Sequence, residues 1–345
     1  MLGKNEVTFA VVIVNYRIAH LTIECLRSLA AQRTGATPQF EVVIVDNASG
    51  DGSSERLQDA VEENGWSSWI RVVAHHENRG FSAGNNVGLS IVLSQSHPPD
   101  FVLLLNPDTV APPAAIAGLS QFLVEHPRAG IVGASLEDSA GAKQCAAHRF
   151  STPLREFQRG ASLGLLDRWI GPLAADGDNR TEARPIRCDW VSGAALCVRR
   201  EVLQAIGLLD EGFFLYFEEV DFCKRAGRAG WEVWMLPHVR IVHREGASTG
   251  LRSRSSRLPM YWFDSRRRFF LKHHGGLKLL TADILWLLGR LGFRVRASMG
   301  LARAPRPLPA RYNRDLLGGD MRAMLSRRRR SPELSPRHTE VSGTK

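Results

Sequence analysis

Three carboxylates occur within four residues in the segment Glu218-Glu219-Val220-Asp221, directly after the aromatic and apolar run Phe213 to Phe217. Like charges in a partly apolar setting raise the pKa of at least one carboxyl, and such a group is suited to act as a general base. The competing interpretation is a solvated helix start, because acids are favoured at helix N-termini and Cys223 to Ala229 has a helical pattern. The cluster alone leaves both interpretations open.

A second polar group follows the apolar run Val102 to Leu105, which continues as Asn106-Pro107-Asp108. A carboxylate at the end of a buried strand can supply the hard oxygen ligand that Mg²⁺ or Mn²⁺ prefers, whereas the amide of Asn106 is a weaker ligand. His243 ends the apolar stretch Val239 to Val242 and could be a further metal ligand. The alternatives are an ordinary turn and a structural histidine.

Two more segments place polar residues beside apolar runs. Asp46 ends the run Val42 to Val45, where a carboxylate can accept hydrogen bonds from a nucleotide base or ribose; an Asx-turn is the alternative. In Asn78 to Asn86 the glycines allow the backbone to approach a ligand closely, and Arg79 could pair with a diphosphate. That second signal is weak, since any Gly-containing loop before a helix has this composition.

The elements that must position these residues follow from hydrophobic periodicity. Helical spacing follows the first apolar run at Ile23, Leu26 and Leu29, and a second helix is predicted over Ser54 to Glu63 with Ser53 or Ser54 as its N-cap. The predicted strands are Ala10 to Val14, Val42 to Val45, Arg71 to Ala74 and Phe101 to Leu105. Strands that alternate with helices indicate an α/β fold, with a doubly wound, mainly parallel sheet and helices on both faces.

Two common phosphate-binding signatures are missing from the sequence. No GxGxxG follows the first strand, and no GxxxxGK[ST] occurs anywhere. This argues against a dinucleotide-dependent dehydrogenase and a P-loop NTPase. Polar residues at the strand ends are therefore expected to bind the ligand.

Charge is divided unevenly along the 345 residues. Residues 251–345 hold 22 Lys and Arg against 6 Asp and Glu, whereas residues 1–250 hold 23 against 29. The tail is therefore expected to meet an anionic partner, either a membrane surface or nucleic acid. The aromatic and Arg-rich stretch around Tyr261 to Phe270 and the apolar stretch Leu277 to Leu291 predict amphipathic segments in a lipid interface; the alternative is that they pack on the rest of the chain.

The rest of the sequence indicates the cellular compartment of the protein and the limits of its domains. The five scattered cysteines fit a reducing cytosol, and neither a secretory signal nor a membrane span is recognisable. We expect a first domain over residues 1–250, with a mobile surface loop at Gly171 to Arg187, then a C-terminal helical basic extension over 251–303 and a disordered basic tail over 304–345. His273 and His274 show no ligand spacing and are expected at the surface.

The order of these segments resembles an inverting glycosyltransferase of family 2 with the GT-A fold, in its rhamnosyltransferase-like branch. The resemblance covers about residues 8 to 250. Each motif is only moderately specific, but seven in this order are strongly so. The motifs are Ile13-Val14-Asn15-Tyr16, Val45-Asp46-Asn47-Ala48-Ser49, Asn78 to Asn86, Asn106-Pro107-Asp108, Trp190-Val191-Ser192-Gly193-Ala194, Phe213 to Asp221, and His243.

The resemblance implies a role for each matching position. Asp108 and His243 would bind Mg²⁺ or Mn²⁺, and Glu219 would be the catalytic base. Asp221, Asp189, Trp190 and Gly193 would face the acceptor. The residues implied in nucleotide-sugar binding are Val14, Asn15, Tyr16, Asp46, Asn47, Arg79, Gly84, Asn85, Asn106 and Asp108.

Two positions depart from the family pattern. Asn106 replaces the first acid of the family's DxD metal motif, which leaves fewer protein ligands for the ion. Glu219 is one methylene longer than the usual Asp, so either this base reaches further or Glu218 shares its role.

The implied partners are a dTDP- or UDP-sugar donor, possibly carrying rhamnose, and a glycan or polyprenyl-diphosphate-linked acceptor used in cell-surface polysaccharide synthesis. An anionic membrane is implied too, which places the chain in the cytoplasm as a peripheral protein on the inner face of the plasma membrane, with no nucleic acid bound. The alternatives are a sugar-phosphate nucleotidyltransferase and a nucleic-acid-binding protein that uses the basic tail. The sequence does not indicate an oligomeric state.

Overall fold

The computed structural model describes residues 7–33, 39–163, 184–244, 257–302 and 308–328, with side chains up to residue 323. Most of the loop predicted at Gly171 to Arg187 lies outside these ranges, although Ile186 and Arg187 belong to a strand. The strands are β1 (Phe9–Asn15), β2 (Phe40–Asn47), β3 (Ile70–His75), β4 (Phe101–Leu105), β5 (Thr109–Val110), β6 (Ala129–Glu137), β7 (Lys143–Gln144), β8 (Ala147–His148), β9 (Ile186–Cys188), β10 (Trp190–Val191), β11 (Ala195–Arg199) and β12 (Glu232–His243).

Helices fill the connections between these strands. In the described ranges they are α1 (Ala19–Ala30), α2 (Ser53–Glu63), α3 (Phe81–Leu93), α4 (Ala115–Glu125), α5 (Pro153–Ala161), α6 (Arg200–Ile206), α7 (Glu218–Arg228), α8 (Met260–His273), α9 (Gly275–Ser298) and α10 (Tyr312–Arg328). The predicted strands and the first two helices are confirmed. The serine cap is wrong: Gly52 is the N-cap of α2, and the Ser53 hydroxyl donates to Asp51 instead.

The main sheet has the order β3-β2-β1-β4-β11-β6-β12-β5, in which β11 and β5 run antiparallel to their neighbours and the other strands are parallel. Asn15 pairs with Asp46 between β1 and β2, and Ile13 pairs with Leu105 between β1 and β4. The polar residues that follow these strands therefore meet at one edge, where parallel α/β sheets bind ligands. The mainly parallel α/β sheet is confirmed.

Glycines set the distance between α3 and the sheet. A Cβ atom at Gly84 would lie 2.8 Å from Val14 Cγ1, and one at Gly88 would lie 2.4 Å from Val12 Cγ1. Contacts this short leave no room for a side chain on that face of the helix. The glycines of α3 thus allow the helix to lie directly on β1.

The C-terminal helices pack on the rest of the chain, which is the alternative that the sequence left open for α8: α8 lies against Phe213, α9 lies against α5, and α10 lies against α8 and α9. Phe269 and Phe270 are fully buried with Phe213 of the sheet domain. Arg266 is 1% exposed and forms ion pairs with Asp283 and Asp320 at 3.0 and 3.1 Å. These aromatic and arginine side chains of α8 are therefore unavailable to a lipid surface.

Two further expectations for the tail are corrected. Residues 304–345 include the helix α10, whose Asp315 pairs with Arg257 at 2.7 Å, so part of this tail is ordered. The side chain of His273 is 1% exposed and contacts Asp221, so it is not a surface residue. Every helix in the described ranges is too short or too polar to cross a bilayer.

Candidate active site

A cavity of about 480 Å³ lies at the carboxyl ends of β1, β2 and β4. Its walls join strand ends to the segment before α7 and to the start of α8. The predicted residues Asn106, Asp108, Glu219 and His243, far apart in the sequence, all face it. Its lining consists of Val14, Tyr16, Asn47, Asn78, Gly80, Phe81, Asn106, Pro107, Asp108, Ser192, Gly193, Ala194, Phe214, Leu215, Tyr216, Glu218, Glu219, His243 and Tyr261.

Asp108 and His243 form the first functional pair. The short strand β5 pairs with the end of β12, so that His243 lies opposite Thr109, and the Arg244 N–H donates to the Asp108 carbonyl. This pairing places His243 Nε2 3.4 Å from Asp108 Oδ1. Both side chains are largely buried, with exposures of 11% for His243 and 4% for Asp108.

The hydrogen bonds around His243 set its orientation. The Gln144 side-chain oxygen lies 3.2 Å from His243 Nδ1, and the Gln144 amide donates to the His243 carbonyl at 3.0 Å. With the proton on Nδ1, Nε2 is the ring nitrogen that can bind a metal. Asn106 Nδ2 lies 3.2 Å from the same Nε2.

This donor set fits a divalent metal. A carboxylate oxygen and an imidazole nitrogen converge on one point, and Gln144 holds the ring as partners of metal-bound histidines usually do. Within the described ranges, no group of three or more His, Cys, Asp or Glu side chains could hold a metal ion. An ion here would have two such protein ligands and would need oxygens from a phosphate-bearing substrate, as Mg²⁺ commonly does.

Glu218 and Glu219 form the second pair, at the first turn of α7. Phe217 and Tyr216 precede them with φ angles of 68° and 69°, an uncommon conformation for large residues that turns the helix start toward the cavity. The Oε2 atom of each glutamate is buried and has no hydrogen-bond partner in the described chain. Both carboxylates are therefore available to an incoming group.

Burial determines the protonation of this pair. Loss of hydration raises the pKa of Glu219 to about 7. The pKa of Glu218 is raised well above its usual value, first by burial and then by the charge of Glu219. Because the charge of Glu219 raises the pKa of Glu218, the two carboxyls bind protons as a pair. The pair can therefore accept a proton from a neutral donor.

The loop before Glu218 is fixed by the segment before α3. Gly80 has a φ angle of 94°, and a Cβ there would lie 2.3 Å from the Phe214 carbonyl oxygen. The Phe81 N–H donates to that oxygen at 2.7 Å, and the Ser82 hydroxyl donates to the Phe213 carbonyl at 2.7 Å. Gly80 thus allows the backbone contact that holds the acidic pair at the cavity.

Asp46 lies beside the cavity without lining it. Its Oδ1 accepts from Asn15 Nδ2 at 2.6 Å and from the Ser49 hydroxyl at 2.5 Å, and its Oδ2 accepts from the Ser49 N–H at 3.2 Å. The neighbouring Asn47 does line the cavity. Its Oδ1 is buried without a partner in the described chain, while its amide donates to Asn78 and to the Gly80 carbonyl.

Besides Asn15 and Asp46, three more predicted nucleotide-sugar contacts lie outside the cavity lining. Arg79 pairs with Glu211 at 2.9 Å. Gly84 faces Val14 on β1, and Asn85 donates to the Phe81 carbonyl at 2.9 Å. Gly84 and Asn85 belong to α3, which lies beside the cavity, and Arg79 precedes this helix.

Three predicted acceptor residues also lie outside the cavity lining. Asp221 is completely buried and accepts hydrogen bonds from Arg225 and His273, which lower its pKa together with Lys272. Asp189 accepts from the Phe150 N–H at 2.8 Å, and the Trp190 indole donates to the Arg149 carbonyl at 3.1 Å. Of the predicted acceptor set, only Gly193 lines the cavity.

Sequence reasoning missed several aromatic residues of the site. Tyr261 reaches the cavity from the start of α8, with its ring centroid 6.2 Å from Tyr216 and 5.6 Å from Phe214. In the sequence, the aromatic run before Glu218 indicates an apolar setting and belongs to a family motif without a role for its aromatic residues, and Tyr261 falls in the stretch predicted to meet a lipid interface. Gln144 carried no motif at all.

A family model described as "Glycosyltransferase like family 2" matches residues 6–258. The chain is 27% identical over 295 residues to the N-acetylglucosaminyl-diphospho-decaprenol L-rhamnosyltransferase of Mycobacterium tuberculosis strain H37Rv, covering 80% of this chain and 90% of that protein. It is 27% identical over 293 residues to the low-salt glycan biosynthesis hexosyltransferase Agl10 of Haloferax volcanii, covering 82% and 84%.

Among solved structures, a mannosyltransferase from Pyrobaculum calidifontis in complex with GDP-Man and Mn²⁺ has a TM-score of 0.54 at 16% identity, covering 92% of this chain and 80% of that one. Residues 1–349 of the S. aureus protein TarS have a TM-score of 0.51 at 16% identity, covering 93% and 82%. These likenesses confirm the GT-A fold. The chain therefore belongs to glycosyltransferase family 2, with rhamnosyltransferases among its relatives.

Proposed function

We propose that the chain transfers a sugar from a nucleoside-diphosphate sugar to a hydroxyl group of a lipid-linked glycan, with inversion at the anomeric carbon. The observation that supports this is the convergence of the Asp108–His243 pair and the Glu218–Glu219 pair on one cavity. The Asp108–His243 pair is suited to bind a metal ion with a diphosphate, and the Glu218–Glu219 pair is suited to accept a proton. Both are needed for a single displacement at a sugar carbon.

The donor would lie with its diphosphate at Asp108 and His243, which would hold Mg²⁺ or Mn²⁺. When bound, the ion neutralises the charge that develops on the leaving diphosphate. The nucleotide would extend along Val14, Tyr16 and Asn47, where the unpaired Asn47 oxygen can accept a hydrogen bond. Asp46 would act through Asn15 and Ser49 as a positioning residue.

Glu219 would be the base. It takes the proton of the acceptor hydroxyl as that oxygen bonds to the anomeric carbon. The bond from this carbon to the diphosphate oxygen breaks, and its electron pair leaves with the nucleoside diphosphate. Attack from the face opposite the leaving group inverts the configuration. Glu218, with the more strongly buried carboxyl, would retain the shared proton.

The acceptor would enter beside Gly193, Tyr216 and Tyr261, which line the cavity together with Glu219. Aromatic rings suit this role because sugar faces pack on them. By similarity to the M. tuberculosis protein we propose rhamnose, carried by dTDP or UDP, as the donor sugar and a polyprenyl-diphosphate glycan as the acceptor. An enzyme using this acceptor would work at the inner face of the plasma membrane.

A donor and acceptor screen tests the proposal. The full chain is incubated with Mn²⁺, dTDP-rhamnose or a UDP-sugar, and a synthetic N-acetylglucosaminyl-diphospho-prenol. We expect a lipid product one sugar heavier by mass spectrometry, with inverted anomeric configuration by NMR. Retained configuration would contradict the single displacement. Pyrophosphate release from a sugar phosphate and a nucleoside triphosphate would instead support a nucleotidyltransferase.

A further inference from the structure

A second cavity, of about 630 Å³, lies between α5, α9 and the start of α10. Three arginines line it, and no acidic side chain among the described residues does. Its remaining walls are mostly aromatic and aliphatic. The lining residues are Arg159, Ser162, Trp286, Arg290, Phe293, Arg296, Leu301, Ala302, Leu308 and Tyr312.

A close helix crossing brings two of these arginines together. A Cβ at Gly160 of α5 would lie 2.6 Å from the Trp286 carbonyl oxygen, and one at Gly289 of α9 would lie 2.6 Å from the Phe157 carbonyl oxygen. The helices can cross here only because both positions are glycine. Arg159 and Arg290 are the next residues along each helix, so the crossing places two like charges at one cavity.

The positive charge of the cavity is incompletely neutralised. Arg159 pairs with Glu156 at 3.2 Å. Arg290 Nε is buried with no hydrogen-bond partner in the described chain, and Arg296 donates only to the Ala161 carbonyl among the contacts described. Burial and the charge of Arg294 lower the pKa of Arg290. An anion at this position would supply the missing partner.

The exposed side of α9 carries an apolar stripe. Lys278 and Arg294, both exposed, flank it. The spacing of three or four residues places all the stripe residues on one helix face. The stripe consists of Leu277, Leu280, Ile284, Leu288, Leu291, Val295 and Met299, each at least 40% exposed. Leu301, which is 69% exposed, joins the stripe to the rim of the cavity.

We propose that this face docks on an anionic bilayer, with the phosphate of one phospholipid held by Arg159, Arg290 and Arg296 and its chains beside Leu301. The apolar stripe of α9 would lie in the headgroup region beside that lipid. Charge complementarity supports a phospholipid over a neutral apolar partner, because basic residues line the cavity and flank the stripe. The site is separate from the cavity at the strand ends and does not depend on the proposed sugar transfer.

Vesicle binding by the full chain tests this site. Vesicles of phosphatidylcholine alone are compared with vesicles that also contain phosphatidylglycerol. We expect binding mainly to the anionic vesicles, and about a fivefold weaker affinity for each of Arg290→Gln and Arg296→Gln, since an arginine near an anionic surface is worth about 1 kcal/mol. Arg71→Gln, an exposed arginine on β3, is the matched control and should bind as the wild type does.

The apolar stripe has its own variant and control. Leu288→Ser combined with Leu291→Ser should weaken binding to anionic vesicles at least tenfold. Val124→Ser, which changes a 52% exposed valine on α4, should have no effect. Circular dichroism of each variant shows whether its helices are retained, so that a folding defect is recognised.

Several outcomes would overturn the lipid site. They are equal binding to neutral and anionic vesicles, wild-type affinity of Arg290→Gln and Arg296→Gln, and arginine-dependent binding of inorganic diphosphate that vesicles do not compete with. RNA retained at the same salt in place of vesicles would instead make the surface a nucleic-acid site. A dimer in sedimentation that the stripe variant separates, with vesicle binding unchanged, would assign the stripe to a second copy of the chain.

Discussion

Replacing Glu219 by Gln should make the protein more stable and nearly inactive at the same time. The amide keeps the size of the side chain but can neither ionise nor accept a proton. A positioned general base contributes about 100- to 10,000-fold to a rate, which is about 3 to 5 kcal/mol of transition-state free energy. We expect kcat to fall within that range while binding of the nucleotide-sugar is kept.

The stability gain follows from the pKa of Glu219. Burial raises it from 4.5 to about 7. Between these values the folded state holds a proton that the unfolded state has released, so the free energy of unfolding falls as the pH rises through this window. At 1.36 kcal/mol per pKa unit, ionisation of Glu219 costs the folded state about 3 kcal/mol above pH 8. Glu219→Gln removes this cost, and it also removes the charge that raises the pKa of Glu218.

Urea unfolding at pH 5 and pH 8, together with kcat at each pH, measures both effects. The stability difference between Glu219→Gln and the wild type should grow by about 3 kcal/mol from pH 5 to pH 8. Glu63→Gln, at the exposed end of α2, is the control and should show no such growth. A constant stability difference would refute the burial argument, and near-normal turnover of the variant would remove Glu219 from its role as the base.

Four other results are expected. The transfer rate of the wild type should rise with pH through about 7 as Glu219 ionises; a rate that falls across this range would contradict an ionised base. Asp108→Asn and Gln144→Ala should each weaken Mn²⁺-dependent binding of a nucleoside diphosphate by about 10- to 100-fold in calorimetry. The control Asp59→Asn should bind as the wild type does. Unchanged affinity of Asp108→Asn would exclude the Asp108–His243 site. Asp221→Asn should lower the free energy of unfolding by about 3 kcal/mol, because Arg225, Lys272 and His273 lose a buried anion; Asp59→Asn is again the control, and an equal denaturation midpoint would disprove this. Gly80→Ala should cost more stability than Gly65→Ala, since both have positive φ but only Gly80 would contact a carbonyl oxygen, and equal losses would exclude the contact with Phe214.

The sheet and the main site residues were predictable because their signals are local. Each central strand is an apolar run that ends at a polar residue, and parallel strands bring such ends together. This argument predicts that Asp108 and His243 lie at one edge of the sheet, whereas the prediction for Glu219 rests on the acidic cluster and the family resemblance. It also identified Asn47, although its unpaired oxygen shows only in the structure.

The rest depends on tertiary contacts that leave no pattern along the chain. Arg79 and Asp221 carry the charge expected of ligand contacts, but each forms ion pairs within the protein. Arg79 pairs with Glu211, and Asp221 pairs with the cations around it. Tyr261 occurs in a basic aromatic stretch typical of a lipid interface, yet α8 packs on the sheet domain. Periodicity predicts that a face is apolar, but only packing decides what covers it.

The geometry of the Asp108–His243 pair is the central claim, and a crystal structure with Mn²⁺ and a nucleoside diphosphate tests it most directly. We predict an anomalous manganese peak bonded to the Asp108 carboxylate and His243 Nε2, with the diphosphate oxygens completing its coordination and Glu219 across the cavity. A manganese peak away from these two side chains, or a diphosphate bound outside this cavity, would contradict the account.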